Sequence, residues 1–213
     1  IWINRDNMKL AVFDFDSTLM DGETLEFLAK ELGIDKEVRE ITDLAMRGEI
    51  DFFESLQKRV SLLKGLEVKK VNEICHKLPL MKGAKEVVSG LKDRGYKVVC
   101  FSGGFKNATT YFAEELGLDA DFSNVLHEKD GILTGLVGGE MMFNTSKGDM
   151  LVRLQQVLGI DRGKTLVVGD GANDISMFRH ADIRVAFCAK PVLREHASIV
   201  IDEKNLALLL DRI

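Results

Sequence analysis

Residues 9–24 read KLAVFDFDSTLMDGET, an apolar run that ends in two carboxylates, Asp14 and Asp16. Leu10–Phe13 shows no polar alternation, which suits a strand covered on both faces of a parallel sheet. Two acids one residue apart repel each other, so a strand ending in both needs either a turn role for them or a cation beside them. The choice depends on what else the chain places at strand ends.

Four more short apolar runs follow: Lys97–Phe101 (KVVCF), Thr165–Val168 (TLVV), Arg184–Phe187 (RVAF) and Ser198–Ile201 (SIVI). Helical stretches separate them at Ala84–Arg94, Lys106–Leu116, Gly148–Leu158 and Asp174–His180. Strand–helix alternation of this kind predicts an α/β fold, a doubly wound, mostly parallel sheet with a Rossmann-like core. Asp130-Gly131 adds a hairpin turn signal, so a short β-ribbon is expected there.

One interval departs from the alternation. About seventy residues separate the first strand from the helix before the second, far beyond a crossover loop. They read as four helices, Thr24–Leu32, Lys36–Arg47, Phe52–Leu63 and Val68–Leu78, punctuated by Gly33, Gly48, Gly65 and Pro79. The expected organisation is a core of residues 8–20 and 82–213 with a helical cap domain, 21–81, inserted after the double-aspartate turn. Met8 is a candidate start; residues 1–7 read as an expression remnant or the end of an upstream segment and are set aside.

Composition narrows the partners. The 213 residues are 46% hydrophobic and 30% charged, enough apolar material for a sizeable core, and the net charge is −5. Nothing resembles the basic footprint of a nucleic-acid binder. No apolar stretch approaches the ~20 residues of a membrane span, and no signal-peptide pattern opens the chain. Cys75, Cys100 and Cys188 are widely spaced and odd in number, against a disulfide framework or zinc site and in favour of free thiols in a reducing cytoplasm. The expected partner is a small molecule, with neither nucleic acid nor membrane; a homodimer is allowed. The four histidines, His76, His127, His180 and His196, are scattered and read as incidental.

Three predicted strands end in polar clusters: Asp14 to Thr18, Ser102-Gly103-Gly104, and Gly169 to Asp174. Taken singly, each suits a turn or helix cap. Together they fall where open α/β sheets bind ligands, beyond the carboxyl ends of the strands. Asp14, Asp16 and Asp170 then supply hard oxygen ligands of the kind Mg²⁺ takes, and the ion would relieve their repulsion. An ionised Asp beside a cation can attack phosphorus, and a second Asp can serve as general acid and then base. Ser102 and the Gly103 and Gly104 amides, read as the start of a helix, could hold phosphoryl oxygens. Lys147, in SKGDM, is either a solvated surface lysine or the cation such a site requires.

The ordered set DFDST, SGG, Lys147 and GDGAND resembles the four motifs of the haloacid dehalogenase superfamily of phosphotransferases. The longer matches VFDFDSTL, GETLEFLA, KRVSLLKG, CFSGGF, VVGDGANDISMF and VAFCAKP are similar to its phosphoserine phosphatase branch, from Met8 to the C-terminus. The resemblance implies a Mg²⁺-dependent hydrolase that converts O-phospho-L-serine to L-serine and phosphate, the last step of serine biosynthesis, through an aspartyl phosphate. It implies Asp14 as nucleophile, Asp16 as general acid and base that lends its backbone carbonyl to the metal, and Asp170 as metal ligand. Asn173 and Asp174 would orient metal-bound water and phosphate, while Ser102, Gly103, Gly104 and Lys147 would hold the phosphoryl group.

The cap carries its own signals. Phe52, Leu56, Arg59 and Leu63 share one helix face, and an arginine in that stripe either reaches solvent or meets an anion such as a substrate carboxylate. Glu23 is either a first-turn helix acid or the partner of a substrate ammonium. The resemblance selects the second reading for both and adds Met46 and Phe52 as lid residues. Two alternatives stand beside it: a related phosphatase or phosphotransferase with an acceptor such as homoserine, and a signalling module that merely stores an aspartyl phosphate.

Overall fold

The computed structural model describes residues 8–46 and 49–213, the side chains of 45 and 46 excepted. Residues 1–7, Arg47 and the Met46 side chain therefore lie outside the described residues. The strand that opens the chain is the centre of everything else. This is β1 (Lys9–Asp14), buried from Leu10 onward, flanked by β2 (Tyr96–Phe105) on one side and β5 (Thr165–Gly169) on the other, both parallel to it. Beyond β2 lie β3 (Ala120–Lys129), parallel, and β4 (Ile132–Gly139), antiparallel. Beyond β5 lie β6 (Ile183–Phe187) and β7 (Ile199–Ile201), giving the order β4-β3-β2-β1-β5-β6-β7.

Alternation along β1 feeds two cores. Ala11 and Phe13 face one, Leu10 and Val12 the other. Val87, Val88 and Leu91 of α5 (Ala84–Asp93) and Phe112 and Leu116 of α6 (Lys106–Leu116) cover the first face. Leu151 of α7 (Ser146–Leu158), Met177 and Phe178 of α8 (Ile175–Phe178) and Leu193 of α9 (Pro191–Arg194) cover the second. Nearly unbroken apolar runs form these strands because both faces are dry.

The interval after β1 folds as α1 (Thr24–Leu32), α2 (Asp35–Met46), α3 (Phe52–Ser61) and α4 (Val68–Cys75). Asp51 starts α3 by accepting the Glu54 N–H at 2.7 Å. The two stems of this segment are stitched together: Asp21 N donates to Pro79 O and Met81 N to Leu19 O, both at 2.9 Å. Its far end is tied to the β3–β4 hairpin, where Gly65 N donates to Leu133 O and Val68 N to Gly131 O, each at 2.9 Å.

The predicted ribbon at Asp130-Gly131 is present as the antiparallel β3–β4 hairpin, and it extends the main sheet because β3 also pairs with β2; β3 buries Ser123 and Asn124 and so lacks an apolar run. Two expectations need correction. Ser102-Gly103-Gly104 does not start a helix. It lies inside β2, where the pairing with β3 shifts between Phe101 and Phe105. The helices expected to reach Leu63, Leu78 and His180 end at Ser61, Cys75 and Phe178. No helix among the described residues is long and apolar enough to cross a membrane.

Candidate active site

Strand register builds the site. Asp14 pairs with Phe101 of β2, and Phe13 pairs with Val168 of β5. Ser102 and Asp170 therefore emerge next to Asp14, where the helix leading into β2 (α5) and the helix leading into β5 (α7) cover opposite faces of the sheet. Asp14, Asp170 and Asp174 bring carboxylate oxygens within 4.8 Å of one another.

Asp14 is 3% exposed. Its Oδ1 accepts the Phe15 N–H at 2.8 Å and the Lys147 ammonium at 2.6 Å; no donor among the described residues reaches Oδ2. Lys147, buried at the first turn of α7, also donates to Asp174 Oδ1 at 2.6 Å. Asp174 Oδ2 takes the amide N–H groups of Asp170 and Gly171 at 3.0 and 3.1 Å. This lock depends on Gly169: a Cβ there would stand 2.3 Å from the Asp174 carboxylate. Burial alone would lower the Lys147 pKa, but the charges of Asp14 and Asp174 outweigh it and hold the ammonium above an ordinary lysine.

The carboxylates are pushed the opposite way. Burial, then the charge of Asp174, raises Asp14 well above the usual carboxylate range. Asp170 is raised to about 6 by burial and by the charges of Asp174 and Glu23. Three acids against one ammonium leave an excess of negative charge when ionised, which a divalent cation would balance. The donor set thus fits a metal ion.

Asp16 turns away from this cluster, so its carboxylate does not join those of Asp14 and Asp170 as the spacing alone suggests. Oδ1 accepts the Thr24 N–H at 2.9 Å and the Thr24 hydroxyl at 2.6 Å, and burial raises its pKa to about 7. Its Oδ2 and the Ser102 Oγ both lie 3.1 Å from where a Cβ on Gly104 would sit, so the two side chains approach the same glycine. Ser102 Oγ accepts the Gly104 N–H at 2.9 Å. Asn173 is half-buried in the short 3-10 turn, Ala172–Asp174, that follows β5.

The inserted helices cover this floor. A methyl on Gly103 would lie 3.0 Å from the Phe52 ring of α3. The next residue, Phe53, stacks on Phe143 of the loop before α7 with ring centroids 5.1 Å apart. Arg59 is half-buried and donates Nε to the Ser55 carbonyl at 3.3 Å; burial lowers its pKa, while Glu23 and Asp16 oppose that shift. Glu23 Oε1 accepts the Ser17 hydroxyl at 2.6 Å.

Three contributors escape the sequence reading. Thr24 holds Asp16. Ser17 holds Glu23. Asn124, fully buried in β3, donates Nδ2 to the Gly103 and Met141 carbonyls, both at 3.1 Å, and accepts the Met141 N–H at 2.9 Å. It ties the Ser102–Gly104 segment to the loop preceding Lys147. The only sequence signal is a polar pair, Ser123-Asn124, inside a ten-residue strand.

Known proteins are similar in sequence and fold. Residues 8–182 match the haloacid dehalogenase-like hydrolase family. A phosphoserine phosphatase of Wolinella succinogenes is 63% identical over 203 residues, covering 95% of this chain and 98% of the relative. One from Methanocaldococcus jannaschii is 48% identical over 202 residues, covering 95% and 96%. Among solved structures, a phospho-aspartyl intermediate analogue of phosphoserine phosphatase superposes with a TM-score of 0.92 at 47% identity, covering 97% of this chain and 99% of that one. A substrate-bound phosphoserine phosphatase complex gives 0.91 at 47% identity, covering 97% and 98%. The chain belongs to the haloacid dehalogenase-like hydrolases and, within them, to the phosphoserine phosphatase family.

Proposed function

We infer that the chain hydrolyses O-phospho-L-serine to L-serine and phosphate through a phosphate ester of Asp14. The observation that supports this best is the lock of Asp14, Lys147 and Asp174 at adjoining strand ends, with Asp16 held separately by Thr24. Asp14 is fixed through Oδ1, which leaves Oδ2 to attack phosphorus. As the new P–O bond forms, the bond to the serine oxygen breaks, and Asp16 delivers a proton to that oxygen. A carboxyl raised to about 7 holds such a proton near neutral pH. In the second half, the Asp16 carboxylate takes a proton from water, whose oxygen attacks phosphorus. The Asp14–phosphate bond breaks, and phosphate leaves.

Ser102, the Gly103 and Gly104 amides and Lys147 bind the phosphoryl oxygens; Asn173 and Asp174 support them. Asp14, Asp170 and the Asp16 carbonyl would hold Mg²⁺, with Asp174 beside them. When bound, Mg²⁺ supplies positive charge that keeps Asp14 ionised and polarises the phosphoryl group. Residues 21–81 act as a lid domain: Arg59 takes the substrate carboxylate as a bidentate partner, Glu23 takes its ammonium, and Phe52 keeps water out of the first step. The cytoplasm suits buried free thiols such as Cys75 and Cys100, whose pKa values burial pushes up.

The test is phosphate release from L-phosphoserine, phosphothreonine and an aryl phosphate, with Mg²⁺ and with chelator, plus an arm containing homoserine. Expected are a preference for phosphoserine, dependence on Mg²⁺, and no phosphohomoserine. A stable phosphoprotein without turnover would overturn the hydrolase reading.

A further inference from the structure

Ser17 links the two halves of the site, yet the chemistry above gives it no part. It follows Asp16 directly and holds a left-handed backbone, φ 57° and ψ 10°, a region unfavourable for a residue with a Cβ. Its N–H donates to the Gly22 carbonyl at 2.8 Å, closing the turn between β1 and α1. Its hydroxyl donates to Glu23 Oε1 at 2.6 Å. Glycine would hold this backbone conformation more easily. A serine there keeps a hydroxyl at the cost of strain, and that hydroxyl is spent on one carboxylate. Burial pushes the Glu23 carboxyl up, and the Ser17 hydrogen bond counters the push.

We propose that Ser17 is a positioning residue for amino-group recognition: it occupies Oε1 of Glu23 and leaves Oε2 aimed at the ammonium of a phosphorylated amino acid. The proposal rests on the reading of Glu23 as the ammonium partner. Because Ser17 is adjacent to Asp16 and its amide closes the turn to Gly22, it ties that carboxylate to the loop carrying the reacting acids rather than to the lid alone. Selectivity for the amino group would then be registered against the phosphorus centre.

The experiment compares O-phospho-L-serine with 3-phosphooxypropanoate, the same ester without the amino group, in the full chain with Mg²⁺. Wild type, Ser17→Gly, Ser17→Ala and Glu23→Gln are measured, with thermal midpoints as a fold control. Both Ser17 variants should raise KM for phosphoserine about tenfold, keep kcat within about twofold, and leave KM for the amino-free ester within about twofold. A wild-type KM for phosphoserine in Ser17→Gly would show that only the turn matters, and would overturn the proposal. So would equal losses on both esters, which would place the hydroxyl in service of the phosphoryl group. Glu23→Gln separates the two readings. If it lowers selectivity between the esters while the Ser17 variants do not, the ammonium reading stands and the Ser17 proposal falls. If it affects both esters equally, the ammonium reading falls first.

Discussion

The active cavity has two walls, held in different ways. On the sheet wall, Asp14, Lys147 and Asp174 are buried, and each makes at least two polar bonds, those of Lys147 joining the end of β1 to the segment after β5. On the helical wall, Phe52, Glu23 and Arg59 are half-buried; among the described residues Glu23 and Arg59 each make a single polar bond, and that of Arg59 stays within its own helix. Groups that make and break bonds lose rate steeply when displaced, whereas a lid must release what it covers. The contrast assigns chemistry to the first wall and choice of substrate to the second. Changes in the sheet wall should therefore damage turnover of every phosphomonoester, and changes in the helical wall should alter preference.

The sharpest break would come from Asp14→Asn. The amide oxygen can still accept from Phe15 and Lys147, so the fold and thermal midpoint should change little. Turnover should fall by roughly four orders of magnitude or more on phosphoserine and on an aryl phosphate alike. Residual activity above about one per cent in a steady-state assay would remove Asp14 from the nucleophile role.

Lys147→Met tests the same wall through a second group. It leaves two buried carboxylates without their cation, so the metal-free protein should lose about 3–5 kcal/mol in denaturant unfolding. With Mg²⁺ present, kcat/KM should drop by roughly 10²–10³ on both esters, as expected for a lost charge on a phosphoryl group. A loss confined to phosphoserine would place Lys147 with the recognition wall instead.

How far these walls can be read from sequence also differs. β1, β2 and β5 are legible because two dry faces impose apolar runs, and the acids at their ends are conspicuous against them. β3 is not, because Ser123 and Asn124 interrupt it. Nor does spacing reveal which carboxylates meet. Asp16 is two residues from Asp14 yet turns to Thr24, whereas Asp174 crosses into the cluster because Gly169 has no side chain to block it. Asn124 joins Gly103 to Met141 across long stretches of chain, a relation set by strand order. On the helical wall, the Arg59 stripe is visible as an oddity of periodicity, but its neighbours Glu23 and Asp16 emerge only from folding.

Arg59→Ala should sharpen the comparison from the other side. Loss of a bidentate carboxylate partner should cost about 10- to 100-fold in kcat/KM for phosphoserine. The aryl phosphate, which has no carboxylate, should change by no more than about twofold. Equal losses on both would mean that Arg59 maintains lid structure or phosphate affinity, and the division of labour between the walls would fail.

The smallest effect expected is a stability change with pH, and it separates the walls without any substrate. Burial and neighbouring charges raise the carboxyls of Asp14 and Asp170 in the folded protein, Asp170 to about 6. A carboxyl whose folded pKa exceeds its unfolded value binds more protons when folded, so its stabilising contribution is complete below the unfolded value near 4 and is lost as pH rises through the folded one. Metal-free protein should thus lose stability from about pH 4 upward, through about pH 6 for Asp170 and beyond it for Asp14. A divalent cation favours the ionised acids, so Mg²⁺ should raise the thermal midpoint more at pH 7.5 than at pH 5, by roughly 2–4 °C for each kcal/mol of linkage. Asp170→Asn should abolish the Mg²⁺-induced rise at both pH values. Glu23→Gln should preserve it, since that carboxyl, although its charge reaches Asp170, is bonded to Ser17 and is not one of the three acids whose oxygens lie within 4.8 Å of one another. Calorimetry with chelator and with Mg²⁺ decides the matter: a metal response that vanishes in Glu23→Gln and survives in Asp170→Asn would put the cation against the helical wall and reverse the assignment.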